Sequence, residues 1–172
     1  MTPDRGRRAV LLVGHGATAK DCPRDLVMRL KALEAQRHRT GGAPTPDEIA
    51  LDRKIRHWPR TPQNDPYKAG LEALAARLRP RLNGARLALA FNEFCAPTVA
   101  DVVAELVAEG VHRITVVPSM LTPGGVHSEI EIPELIAGLR QQYPQVDIAY
   151  AWPFDLDPVA QMLADHLQRS ES

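Results

Sequence analysis

Two histidines of this chain have the surroundings that protein metal ligands need. His15 directly follows an apolar run, residues 9–13, and lies between two glycines. His127 ends the glycine-rich segment TPGGVH, which follows another apolar run. Neutral imidazole is the commonest ligand for first-row metals, and glycines let a ligand approach the backbone closely. Alone, His15 also fits a loop histidine bonded to a backbone carbonyl, and His127 also fits a solvated histidine in a glycine-rich turn. The pair predicts a divalent-metal site with open coordination positions.

A carboxylate occupies a comparable position in a third loop. Glu93 comes two residues after the apolar run Arg86–Phe91. It is a candidate metal ligand or proton acceptor, and the alternative is a surface carboxylate paired with an arginine. Glu129, Glu131 and Glu134 approach a predicted helix, where carboxylates favour the N-terminus, and this structural role is our interpretation of Glu134.

The cysteines and the other histidines carry weaker signals. Two cysteines, Cys22 and Cys95, do not make a disulfide framework, and we predict both as small buried hydrophobes in a reducing, cytoplasmic protein. The remaining histidines have no comparable loop context and are predicted to face solvent: His38, His57, His112 and His166.

The elements that must position these residues alternate along the chain. Four apolar runs predict strands, at Ala9–Val13, Arg86–Phe91, Arg113–Val117 and Val146–Ala151. Helical stripes are predicted over Asp25–Gln36, Tyr67–Arg79 and Thr98–Glu109, after Pro133, and from Asp157. Alternating strands and helices predict a parallel sheet with right-handed crossovers. Ligands bind such sheets at the carboxyl ends of the strands, where His15, Glu93 and His127 fall.

The segment His38–Pro66 differs in composition. It contains five prolines and two adjacent glycines, and we predict an inserted, partly ordered excursion with a short helix at Asp47–His57. Glu48, Asp52 and Arg56 are spaced as a salt-bridged, exposed helix face. Trp58, among basic residues, is alternatively a lid over a planar anionic ligand.

Composition excludes several classes of function. The chain has 172 residues, 44% of them hydrophobic and 24% charged, with a net charge of zero. These values favour one globular domain and give no electrostatic case for binding nucleic acid or a membrane. Neither a phosphate-binding glycine loop nor a nucleophile elbow occurs. A metal-independent α/β enzyme is the weakest hypothesis that we retain.

Four sequence segments resemble the CbiX/SirB group of class II tetrapyrrole chelatases. They are LLVGHG at 11–16, AFNEF at 90–94 followed by Pro97-Thr98, VVPSML at 116–121, and GVHSEIEIP at 125–133. The resemblance implies a three-layer α/β sandwich, with a four-stranded parallel sheet flanked by helices. This is half of a two-domain chelatase. We expect one such domain over residues 1–172, with an insertion at about 38–66.

The resemblance also implies a chemistry and partners. The group inserts cobalt, iron or nickel into sirohydrochlorin, in cobalamin- and siroheme-type biosynthesis. The divalent ion is a substrate, and no organic cofactor is expected. His15 and His127 match the metal-binding histidines, and Glu93 matches the acid that binds metal or takes up macrocycle protons. Short members pair as homodimers. Candidate cations for the carboxylates of the tetrapyrrole are Arg53, Lys54, Arg56, Arg60 and Lys68.

Three departures from the family pattern keep a second hypothesis open. Ala17 stands where the group usually has serine, and Glu131 where it usually has aspartate. The third departure is the segment 38–66. These differences motivate a non-catalytic carrier of metal or tetrapyrrole with the same fold.

Overall fold

Four parallel strands in the order β2-β1-β3-β4 form the centre of the computed structural model, which describes residues 8–171. All three strand pairings are parallel, as predicted. The strands are β1 Arg8–Gly14, β2 Arg86–Phe91, β3 Arg113–Pro118 and β4 Asp147–Tyr150. The α-helices of the described residues are α1 Arg24–Thr40, α2 Pro46–Arg56, α3 Pro66–Leu78, α4 Val99–Ala108, α5 Ile132–Gln142 and α6 Leu156–Ser170.

The two faces of the sheet are covered unequally. One face packs on α4 and α5 through side chains that include Leu11, Val116 and Ile136. The opposite face packs on α3 through Leu12 and Leu71, mainly across β1 and β2, and Val117 of β3 also packs against this cluster. The layers therefore form the predicted α/β sandwich with part of one outer layer missing.

The predicted boundaries agree with the structure to within about two residues at the strands. Helix α4 begins with a capping box, in which the Asp101 backbone N–H donates to Thr98 Oγ1 and the Thr98 N–H donates to the Asp101 carboxylate. Helix α1 continues to Thr40, four residues beyond its predicted end. Its last turns pack against α2, a tertiary contact that local periodicity does not report.

The segment 38–66 is more regular than predicted. The expected short helix is present as α2, and Leu51 and Ile55 on this helix pack with Leu30 of α1 in a separate apolar cluster. The interpretation of Glu48 as exposed is wrong. Its side chain lies between α1 and α2, only 4% of the residue is exposed, and Arg37 Nε donates to it at 2.8 Å.

The lid interpretation of Trp58 is also wrong. Its ring packs on the α1–α2 cluster, and Nε1 donates to Asp21 Oδ1 at 3.2 Å. The predicted pair of Asp52 and Arg56 is present, with 2.7 Å between the Arg56 Nε and the nearer carboxylate oxygen. Whether 38–66 is an insertion relative to other proteins stays a prediction.

Both cysteines are buried and free, as predicted, and burial raises the pKa of each thiol. Within residues 8–171, no helix combines the length and the apolar character that a membrane crossing requires.

Candidate metal centre

The loops that carry His15 and Glu93 lie side by side because their strands are neighbours. Gly14, the last residue of β1, is paired with Phe91, the last residue of β2. The pairing continues past both strands, since the Glu93 backbone N–H donates to the His15 carbonyl at 2.8 Å. Parallel register therefore brings both side chains to one point of the carboxyl edge.

Gly16 permits the close packing of these two loops. Its φ is +93°, a value that favours glycine, and a Cβ built on it would lie 1.9 Å from the Glu93 carbonyl oxygen. Any side chain at position 16 would push the two loops apart. Gly16, one of the two glycines that flank His15, is therefore required for steric reasons.

His127 reaches the same point from the connection between β3 and α5. It opens a π-helical turn, His127–Glu131, a feature frequent at functional sites. The Tyr150 hydroxyl donates to the Ser128 carbonyl at 2.7 Å and fastens this turn to β4. Burial, with a contribution from Glu129, raises the pKa of Tyr150 to about 12, so the hydroxyl keeps its proton.

The three predicted site residues converge. One ligand atom from each of His15, Glu93 and His127 lies within 4.8 Å of the other two, and the imidazole rings meet edge to face with centroids 4.6 Å apart. The distance from His15 Nε2 to Glu93 Oε2 is 3.9 Å. Since two ligands of one ion, each about 2 Å from it, are at most about 4 Å apart, binding would draw the widest pair inward by about 1 Å.

Hydrogen bonds leave the Nε2 atom of each histidine available. The Nδ1–H of His15 donates to the Gly16 carbonyl at 2.8 Å. The Nδ1–H of His127 donates to Glu131 Oε2 at 2.7 Å, and the Asn92 side-chain amide donates to the same oxygen at 2.8 Å. A carboxylate behind a ligating imidazole fixes its tautomer and ring orientation.

Glu131 is suited to remain ionised in this role. Burial opposes ionisation, but hydrogen bonds from His127 and Asn92 outweigh it and hold the pKa of Glu131 below its usual value. In the sequence, Glu131 stands out only as a carboxylate before a predicted helix and as a departure from the family pattern. Its spacing of four residues from His127 on a helical turn was the available signal.

Replacing Glu131 by alanine should weaken Co²⁺ binding by about 10- to 100-fold, because His127 loses the group that orients its ring. Isothermal titration calorimetry with Co²⁺ measures this change. Glu134→Ala is the matched control, since it removes another exposed carboxylate, at the third residue of α5. Equal Kd values for the two variants would contradict the orienting role of Glu131.

A cavity of about 790 Å³ reaches the cluster at Glu93, and helices α1 and α2 form part of its wall. Its lining includes Lys31, His38, Arg56, Asn92, Glu93 and Glu131. Lys31 Nζ lies 3.6 Å from Glu93 Oε1 and 4.6 Å from the centroid of the Phe94 ring. Sequence reasoning missed Lys31, because α1 reaches Glu93 only through tertiary packing. His38 is exposed, as predicted, at the edge of this cavity.

The five basic residues that were candidates for binding tetrapyrrole carboxylates are not gathered at this cavity. Of the five, only Arg56 lines the cavity, and its guanidinium already bonds to Asp52 and to the Asn92 carbonyl. Arg53 and Lys54 are exposed elsewhere on α2. Lys68 and Arg60 both line a separate, smaller pocket, and the Arg60 side chain is only 8% exposed.

Arg60 joins the two ligand loops instead of binding a ligand. Its Nη1 donates to the Ala17 carbonyl and to Asp65 Oδ2, each at 2.6 Å, and its Nη2 donates to the Phe94 carbonyl at 2.5 Å. Ala17 follows the His15 loop and Phe94 follows Glu93. The contact at position 17 uses the backbone carbonyl, so it does not require a hydroxyl side chain.

Arg60→Met should lower the free energy of unfolding by about 3–5 kcal/mol, because Asp65, only 1% exposed, would keep a buried charge without its partner. It should also weaken Co²⁺ binding, since the two ligand loops lose their bridge. Chemical denaturation and Co²⁺ titration measure the two effects. Arg60→Lys serves if the methionine variant does not fold, because lysine keeps the charge but cannot make the forked contacts.

Arg37→Met is the control for Arg60→Met. It breaks the other buried arginine–carboxylate pair of this region, with Glu48, which does not touch the ligand loops. A destabilised Arg37→Met with wild-type Co²⁺ affinity is expected. If both variants bind Co²⁺ as tightly as the wild type, Arg60 has only a structural role.

Comparisons with known proteins agree with the fold. A family model described as CbiX matches residues 63–170, a range that contains Glu93 and His127 but not His15. Over 81 residues the chain is 37% identical to a sirohydrochlorin cobaltochelatase of Priestia megaterium, which covers 46% of this chain and 26% of that protein. Over 67 residues it is 34% identical to a sirohydrochlorin ferrochelatase of the same organism, which covers 39% of this chain and 25% of that protein.

The matched segments thus span about a quarter of each of these relatives. A crystal structure described as a CbiX protein of cobalamin (vitamin B12) biosynthesis, from Marinobacter aquaeolei VT8, superimposes with a TM-score of 0.53. It is 19% identical, and the superposition covers 96% of this chain and 98% of the other. At that identity, the likeness concerns the fold.

Proposed function

The chain belongs to the CbiX family, and from this we propose that it is a chelatase that inserts a divalent metal ion into a tetrapyrrole of the sirohydrochlorin type. The observation that carries the proposal is the convergence of His15, Glu93 and His127 within 4.8 Å, beside a cavity at the carboxyl edge of the sheet. The substrate ion is Co²⁺, Fe²⁺ or Ni²⁺. The names of the Priestia megaterium relatives support the first two.

The proposed mechanism divides the work among the three side chains. The two imidazoles hold the ion through Nε2 and leave its other coordination positions open, so that pyrrole nitrogens can replace water stepwise. Insertion also requires the macrocycle to lose two N–H protons. Glu93 stands next to the ion and can accept a proton as a general base. The Lys31 ammonium, 3.6 Å away, supports the negative charge of that carboxylate.

An insertion assay tests the proposal. Purified protein is mixed with sirohydrochlorin and Co²⁺, and the absorption spectrum of the macrocycle is followed beside a reaction without protein. A rate well above that control is expected. A rate equal to the control contradicts chelatase activity, and tight stoichiometric binding of metal without faster insertion would favour the carrier function instead.

We further propose that two copies of the chain pair as a symmetric homodimer. The candidate metal centre lies at an open edge of the sheet, and the His15 side chain is 38% exposed, so one copy encloses only one side of a planar ligand. Closed two-fold pairing is the commonest arrangement of soluble oligomers. Sedimentation velocity over a range of concentrations measures the mass of the assembly.

A further inference from the structure

The two carboxylate oxygens of Glu93 face different groups. Oε2 lies 3.9 Å from His15 Nε2, toward one of the two candidate histidine ligands. Oε1 lies 3.6 Å from the ammonium nitrogen of Lys31. A carboxylate binds a metal ion through one oxygen or through both, and it can use both only when neither is engaged elsewhere. The surroundings of Glu93 therefore leave one oxygen for the ion and place the other against a lysine.

The Lys31 ammonium makes two further contacts at this position. Glu34, on the next turn of α1, places its Oε2 3.2 Å from Lys31 Nζ. The same nitrogen lies over the Phe94 ring, 4.6 Å from the centroid. Lys31, Glu34, Glu93 and Phe94 all line the cavity. Both carboxylates and the face of the aromatic ring attract a cation, so three groups together favour this position of the ammonium.

The backbone at Phe94 supports the contact with Lys31. The φ of Phe94 is +56°, in the left-handed region that residues with a side chain rarely adopt. Arg60 Nη2 donates to the Phe94 carbonyl at 2.5 Å, and the Phe94 ring packs against the apolar cluster of α1 and α2. Such conformations persist where surrounding contacts fix them, and they are concentrated at functional sites. The ring that meets Lys31 is thus fixed directly after the candidate ligand Glu93.

We propose that Lys31 is a positioning residue that limits Glu93 to one oxygen for the metal ion, so that the ion is held loosely enough to pass to the macrocycle. The inference rests on the proposed function, because it concerns release of the ion from the same three ligands. The charge of Lys31 engages Oε1, and it also repels a divalent cation beside the carboxylate. Binding that is stronger before transfer than during transfer slows the reaction. A lysine that weakens the initial hold on the ion therefore favours insertion.

Lys31→Met should change metal affinity and insertion rate in opposite directions. Co²⁺ should bind about 3- to 10-fold more tightly, because a repelling charge is removed and the second oxygen of Glu93 is freed. Insertion of Co²⁺ into sirohydrochlorin should become slower. Methionine is a good helix former and the Lys31 side chain is 47% exposed, so α1 should keep its stability. Titration calorimetry gives the Kd, and the spectrum of the macrocycle gives the rate.

Two control variants separate the position of the charge from its presence. Lys31→Arg keeps a cation beside Glu93 and should return the Kd and the rate toward the wild-type values. Lys54→Met removes an exposed lysine of α2 that does not line the cavity, and it should change neither quantity. The visible absorption spectrum of bound Co²⁺ depends on the number and arrangement of its ligands. That spectrum should differ from the wild type in Lys31→Met but not in Lys54→Met.

The proposal requires tighter binding and slower insertion in the same variant. A Kd of Lys31→Met equal to or above the wild-type value would overturn it, and so would tighter binding with an unchanged insertion rate. Equally tight binding by Lys31→Arg or Lys54→Met would also overturn it, since a charge beside Glu93 would then not be the cause. If the wild type inserts no metal, the chelatase function fails. Tighter binding and an altered Co²⁺ spectrum in Lys31→Met would still support the effect of Lys31 on Glu93.

Discussion

Replacing His15 or His127 by alanine should abolish acceleration of metal insertion and weaken Co²⁺ binding by more than about 100-fold. Each variant removes one of the three ligand atoms that converge. Loss of a group that only orients a ligand costs about 10- to 100-fold in metal affinity, so loss of the ligand itself should exceed that range. Titration calorimetry gives the Kd, and the sirohydrochlorin assay gives the rate.

The fold should tolerate both replacements, because both side chains are partly exposed, at 38% and 22%, and lie in loops or at a helix start. Substitutions at such positions usually change stability by less than about 0.5 kcal/mol. His57→Ala is the control, since this exposed histidine lies after α2 and does not line the cavity. Wild-type Kd and rate in His15→Ala would exclude that histidine as a ligand, and the same holds for His127→Ala.

Gly16→Ala should have the largest structural effect among alanine replacements of the glycines near the site. The new Cβ would lie 1.9 Å from the Glu93 carbonyl oxygen, and the residue would keep a φ of +93°. The left-handed conformation costs a residue with a side chain about 1–2 kcal/mol, and overpacking adds about 1–3 kcal/mol. We therefore expect about 2–5 kcal/mol less stability and, because Glu93 must move, weaker Co²⁺ binding.

Gly110→Ala separates steric contact from backbone strain. Gly110 has a similar φ of +83°, but nothing lies within 4 Å of a Cβ built there. The free energy of unfolding of this variant should fall only by the cost of the left-handed backbone conformation, and its metal affinity should equal that of the wild type. Equal losses of stability in the two alanine variants, measured by urea denaturation, would show that the approach of the Glu93 loop does not require glycine at position 16.

The carboxyl-edge cluster was predictable because its causes are local in sequence. Each buried strand is a short apolar run, and the polar residue that follows is the first to leave the sheet. Parallel pairing then brings the ends of β1 and β2 together without any further information, which is why His15 and Glu93 could be assigned to one place. His127 required the additional inference that its loop returns to the same edge.

The surroundings of the cluster were less predictable. Glu48 was interpreted as exposed because its spacing from Asp52 and Arg56 is that of a solvated face, yet the end of α1 covers it with Arg37. Arg60 was a candidate ligand for tetrapyrrole carboxylates, yet its guanidinium donates to a backbone carbonyl of each ligand loop. In both cases the charge pattern along the chain does not show which distant element packs on the side chain.

The sequence by itself determined the order and type of the strands and helices, the parallel sheet and the three candidate ligands. These follow from hydrophobic periodicity and from the rule that parallel strands end at one edge. Tertiary structure alone decided that α2 walls the cavity, that Lys31 meets Glu93, and that Glu131 orients His127. It also decided that no residue of α6 is buried. Those contacts depend on the packing of segments that are distant along the chain. The stabilising free energy comes from the surface that two such segments share, so the pattern of either segment alone does not predict the contact.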